Sequence, residues 1–162
     1  MTGRGFWLRA AVTTVLAVTL LLAVSPARPV SRLPQAVALA AGAAAGVLLF
    51  VGAARRAPRL PSAHGGLPVL VAKQGVLGLW AANEEILWRR IVLGELLPLS
   101  ALAAVALSTL GFALAHRRRQ ALHLMTGTCF GGVYLATGSL GASVAAHWLY
   151  NALVGALGDR PP

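Results

Sequence analysis

Acidic residues are nearly missing from this chain: its 162 residues include four Asp and Glu against 14 Lys and Arg, a formal net charge of +10. Charged residues of both signs make up 11%, where a soluble domain carries roughly 25%. That shortage excludes an ordinary soluble domain, whose surface needs the charge. Cysteine is equally scarce. Cys129 stands alone inside an apolar run, so no disulfide framework, CxxC pair or zinc knuckle can be built. It reads as a small packing residue and is silent on redox compartment. The chain also lacks a basic stripe interleaved with aromatics, the footprint of a nucleic-acid binder. Its basic residues fall in short clusters between apolar runs: Arg28 and Arg32, then Arg55, Arg56 and Arg59, then Arg117, Arg118 and Arg119. Clusters of this kind mark loop ends and anionic lipid head groups. The expected partners are therefore a lipid bilayer and no nucleic acid.

What the chain does have is apolar length. Apolar residues reach 57%, and the mean hydropathy is +0.74. Six apolar runs follow one another, each near the roughly 20 residues a spanning helix needs. They are Trp7–Val24, Pro34–Ala54, Leu67–Trp88, Leu97–His116, Ala121–Ala136 and Leu140–Leu157. Between them lie breakers: Pro26 and Pro29, Pro58 and Pro61, Pro98, and the Thr137-Gly138 turn. Small residues such as Ala40–Gly46 suit close helix packing in lipid. The first run, with Arg4 and Arg9 before it, has the look of a signal peptide, but Ser25-Pro26-Ala27 is a poor cleavage site and a retained helix is expected. The basic residues favour a cytoplasmic N-terminus, with Arg28 and Arg32, and Arg89 and Arg90 if they reach the interface, on the other side. The expected fold is all-α, a polytopic transmembrane bundle of about six spanning helices. One membrane domain is expected over 1–162, with its core at 67–157.

Three of the four acids, Glu84, Glu85 and Glu95, crowd into one twelve-residue window. An acid in a membrane helix costs about 2.5–3.5 kcal/mol even on lenient insertion scales, so adjacent glutamates need an explanation. Glu85 and Arg89 are four apart with the acid first, the better order for an intrahelical pair. Glu84 lies about 100 degrees round the helix from Glu85, so Arg89 does not cover it equally. That leaves one paired carboxylate and one freer one. Two further pairs share a helix face at one-turn spacing. Phe112 and His116 end the fourth run, and His147 and Asn151 lie in the last. Taken singly, each has a plain explanation: an ion-pair clamp, an interfacial histidine, interhelical hydrogen bonding. Taken together, three helices each carry one costly polar pair. Turning those faces inward satisfies every group and makes a wet pocket. A carboxylate and an imidazole can activate water there, while a second histidine and an amide donate to an oxyanion.

Glu84-Glu85-Ile-Leu-Trp-Arg89, Phe112-Ala-Leu-Ala-His116 and His147-Trp-Leu-Tyr-Asn151 resemble, in order, the EExxxR, FxxxH and HxxxN motifs of the CAAX-protease and bacteriocin-processing (CPBP, or Abi) membrane family, which includes the Rce1-type prenyl-protein endopeptidases. The lead-in Thr137-Gly-Ser-Leu-Gly-Ala-Ser143 is similar too, while Arg90 stands where the family commonly has glycine. The resemblance spans about residues 67–157. It implies a glutamate-type intramembrane endopeptidase that requires no metal or cofactor and acts on a membrane-associated protein or peptide. It implies that Glu84 and His116 activate water, that His147 and Asn151 stabilise the oxyanion, and that Glu85, Arg89 and Phe112 support them. High Ala, Arg and Gly point to a bacterial inner membrane and to substrates other than prenylated ones. Three other readings stand beside it. A zinc-dependent protease would use Glu84, His116 and His147 as ligands. A proton-coupled carrier would use them as a relay, and a non-catalytic scaffold or immunity factor would use them for packing alone.

Overall fold

The computed structural model describes residues 4–30, 33–54, 66–116 and 118–157. The expected positions at Arg32, Arg55, Arg56, Pro58, Arg59, Pro61 and Arg117 lie outside them. Among the described residues every regular element is helical: α1 (Arg4–Ala23), α2 (Gln35–Ala54), α3 (Gly66–Glu85), α4 (Ala101–Ala115), α5 (Gln120–Thr137) and α6 (Leu140–Leu157). The third element outruns its apolar run. Past Glu85 it widens into a π-helical stretch, Ile86–Leu93, and closes with one α-helical turn, Gly94–Leu96. Pro98 then prevents continuation, since its nitrogen has no hydrogen to give. Ser100 restarts the chain as an N-cap, accepting from the Ala103 amide at 3.0 Å.

The turns explain how the last three helices meet. Gly138 takes φ 63°, where a side chain would be strained, and its N–H closes α5 onto the Tyr134 carbonyl at 2.8 Å. Ser139 follows directly as the cap of α6, accepting from the Ala142 amide at 3.2 Å. With so short a reversal, α5 and α6 pack antiparallel. α2 lies along α6, where Gly42 and Gly46 face Ala142 and Ala146. A methyl group on either glycine would enter the opposing backbone carbonyl, so the small residues are what allow this approach.

Charged and hydroxyl side chains are buried while several large apolar ones face outward. Leu22, Leu48, Leu99 and Leu102 are exposed, whereas Glu85, Arg89, Ser108 and Ser143 are wholly buried. Arg89 and Arg90, which the sequence could place at an interface, are both interior. Apolar clusters flank the buried polar groups. Leu93, Ala104 and Tyr134 lie on one side, and Phe50, Phe130, Ala146 and Tyr150 on the other. Among the described residues six helical segments stand at the six apolar runs, but six spans are not thereby shown. Among the described residues, Gln35–Ala53 alone is both long and apolar enough to cross a membrane by length and composition, with Trp7–Ala23 and Ala101–Ala115 apolar but shorter.

Candidate active site

The polar groups of α3, α4 and α6 converge around Phe112. Its ring, almost wholly buried, lies against His116 (4.6 Å between centroids), His147 (6.0 Å) and Trp88 (6.4 Å). The Arg89 guanidinium sits 5.3 Å above it, a cation–π distance. Phe112 therefore fixes the spacing of both imidazoles and the arginine at once.

Glu85 is the tethered carboxylate. Its Oε2 lies 3.2 Å from Arg89 Nε, both side chains having no solvent exposure. The Ser143 hydroxyl reaches the same oxygen and also stands 3.0 Å from the Phe130 carbonyl; it has one hydrogen to share between them. Glu85 Oε1 is 2.9 Å from His147 Nδ1. Arg89 is held from a second side: its Nη1 donates to Ser108 Oγ at 3.1 Å, and Ser108 donates to the Trp88 carbonyl at 2.6 Å. The widened helix is part of this arrangement. π-helical stretches disrupt the regular ladder and occur often at functional sites, and this one begins immediately after the two glutamates.

Glu84 is placed differently. It keeps 28% of its side-chain exposure and faces two imidazoles, with Oε2 3.7 Å from His147 Nε2 and Oε1 4.0 Å from His116 Nε2. Both gaps exceed hydrogen-bond length, so among the described residues its lone pairs are not committed to a hydrogen bond. The tautomer of His116 follows from its partner. Nδ1 lies 2.8 Å from the Phe112 carbonyl, which can only accept, so Nδ1 carries a hydrogen; in the neutral ring Nε2 then holds the lone pair on the side facing Glu84. By the same logic, His147 Nδ1 donates to an ionised Glu85, and Nε2 points at Glu84.

The structure thus gathers Glu84, Glu85, Arg89, Phe112, His116 and His147. Asn151 lies one turn beyond His147 on α6, half-buried, and makes no hydrogen bond to another described residue. Glu95, the third acid of the crowded window, is exposed. Ser108 and His123 escaped the sequence reading, and Ser143 stood in it only as the end of the lead-in stretch. Ser143 sits one turn before His147, and Ser108 one turn before Phe112, so helical spacing held a signal for both. His123 did not have one. It comes from the next helix across the turn and stacks on His116 at 3.9 Å between centroids, tilted by 24°. Among the described residues no group of three His, Cys, Asp or Glu side chains is arranged to hold a metal ion.

A family model described as type II CAAX prenyl endopeptidase, Rce1-like, matches residues 68–153, more than half of the chain. No curated protein and no solved structure matches the chain.

Proposed function

The chain belongs to the Rce1-like family of type II CAAX prenyl endopeptidases, and from that membership we propose that it is a glutamate-type intramembrane endopeptidase in which Glu84 is the base. The family is one of membrane-embedded proteases, which makes a lipid environment and a protein or peptide substrate part of its setting. In this reading the six helices span the bilayer as one domain over 1–162. Residues 67–157 form its catalytic core, and the composition supports a bacterial inner membrane.

The observation that carries the proposal is the contrast between neighbouring glutamates. Glu85 is bound by Arg89, Ser143 and His147, whereas Glu84 faces two imidazole Nε2 atoms at 3.7 and 4.0 Å. A water held between Glu84 Oε1 and the His116 Nε2 lone pair loses a proton to Glu84 as its oxygen attacks the scissile carbonyl carbon. The carbonyl oxygen then carries the negative charge. The Asn151 amide donates to it, as does His147 from Nε2 once that nitrogen is protonated, with Glu85 holding the ring at Nδ1. Glu84 returns the proton to the amide nitrogen, the C–N bond breaks, and a carboxyl and an amino terminus leave.

The test compares membrane-protein termini in cells expressing wild type or Glu84→Gln at equal levels. Glu84→Gln keeps the shape and removes the base. A precursor left uncut only in the variant supports the reading and names the substrate. Identical termini, with the biological role preserved, would sink it.

A further inference from the structure

The family match begins at residue 68, so α1 stands outside it. A cavity of about 220 Å³ nevertheless joins α1 to the candidate site. Thr13, Leu16, Ala17 and Leu20 line one side, and Glu84 and His116 face in from the other.

Two anchors hold this wall in place. Asn83, nearly buried one residue before Glu84, donates from Nδ2 to Thr14 Oγ1 at 2.8 Å and lies 3.4 Å from Thr13 Oγ1. Both hydroxyls give their own hydrogen to α1 carbonyls, Thr14 to Ala10 at 2.8 Å, which leaves lone pairs for Asn83. Just past the end of α1, Arg90 Nη1 donates to the Pro26 carbonyl at 2.7 Å. Gly94 admits that segment: a Cβ there would come within 2.8 Å of the Ala27 carbonyl oxygen. Arg90 is the position where this chain departs from the family's glycine, and here it ties α1 to the π-helical stretch.

We propose that α1 is the wall of the subsite that receives the substrate side chain beside the scissile bond, and that Ala17 and Leu20 limit that side chain to an apolar one of modest size. The inference rests on the peptidase reading above. A peptide carbonyl in reach of a water on Glu84 and His116 must place a flanking side chain in the same cavity. The volume lies below the roughly 300 Å³ at which pockets for whole small molecules begin, so it suits a side chain rather than an entire ligand. Apart from Glu84 and His116 the lining is uncharged. An anionic side chain would be repelled by Glu84, and a cationic one would neutralise the base that hydrolysis needs.

The experiment uses the full chain in detergent micelles and a library of quenched peptides carrying Ala, Val, Leu or Phe at each position. Leu20→Ala enlarges the cavity from a half-buried position and is expected to raise kcat/KM for Phe relative to Ala by about tenfold, the scale of a few methylene groups in an apolar pocket. Ala17→Leu fills the cavity and is expected to lower Leu relative to Ala by a similar factor. Leu8→Ala, on the exposed side of α1, leaves the ratios unchanged. Thermal unfolding confirms that each variant is folded; should Ala17→Leu fail, Leu20→Ala decides alone. Unchanged size preference in the folded cavity variants overturns the subsite. A library cut equally by wild type and Glu84→Gln, or cut by neither, overturns the peptidase reading and the subsite with it.

Discussion

Removing Arg89 tests whether Glu85 is held as a structural anion. Arg89 and Glu85 are both without solvent exposure, 3.2 Å apart. Breaking a buried pair by deleting one partner costs about 3–5 kcal/mol, because the other charge stays buried. Arg89→Met removes the cation, leaving Glu85 with Ser143 and His147 as neutral donors. Glu85→Gln does the reverse and strands the guanidinium, although its amide oxygen still accepts from His147 Nδ1. Each single variant is expected to lose about 3–5 kcal/mol. The double variant has no unpaired charge, and replacement of a buried pair by uncharged groups is often close to neutral. It is expected to lose no more than about 3 kcal/mol, far less than the sum of the singles. The assay is a double-mutant cycle on unfolding free energy in mixed micelles, run in the Glu84→Gln background so that turnover plays no part. A double variant that loses the full sum, or an Arg89→Met protein as stable as its parent, would refute the reasoning.

Three further outcomes follow from the geometry. His116→Ala is expected to reduce cleavage about 10²–10⁴-fold, the usual contribution of a positioned acid or base; combined with Glu84→Gln it should add little, as residues acting on one water are not additive. His123→Ala is expected to lower kcat a few-fold by freeing the His116 ring, while His123→Phe, which keeps a stacked ring at that place, retains activity in the same peptide assay. Gly46→Val drives a side chain into the Ala146 backbone one residue before His147 and should cost about 1–3 kcal/mol as overpacking; Gly52→Ala, with nothing within 4 Å of the new methyl, should stabilise by up to about 1 kcal/mol through helix propensity, both read from thermal unfolding.

The helices were legible because charge is so scarce that its gaps outline the apolar segments. The last run and α6 share the same ends, Leu140 and Leu157, and the Gly138 turn was marked by its own residue. The third run was cut short at Trp88 because Arg89 and Arg90 read as the edge of an apolar segment. Their charges are met inside the protein, by Glu85 and by the Pro26 carbonyl. Only the Glu85 pairing lies at a spacing that sequence can show; the Pro26 contact joins residues 64 apart. The same limit applies at the site. Pairs four apart on one helix pointed to Glu85 and Arg89, Phe112 and His116, and His147 and Asn151, with Glu84 as the freer neighbour, whereas the His116–His123 stack and the α1 wall depend on how helices meet. A spacing rule reports which face a residue occupies; what stands opposite that face is set by tertiary packing.

The two adjacent glutamates show why that distinction matters for chemistry. Spacing alone set a paired Glu85 apart from a freer Glu84, but it did not show what each carboxylate faces. A base, however, needs a lone pair directed at its proton source and not spent on neighbours. Glu85 spends both oxygens, Oε2 on Arg89 and Ser143 and Oε1 on His147. Freeing it would strand a buried cation and release the imidazole it orients. Glu84 is turned about 100 degrees away, into the cavity that α1 closes, where both carboxylate oxygens face imidazole nitrogens beyond bonding distance. Helical rotation by one residue therefore separates a carboxylate bound to its neighbours from one left open for the proposed hydrolysis. Exchanging their roles would require turning the start of the π-helical stretch, and with it Arg89, out of the pocket built by Ser108 and Phe112.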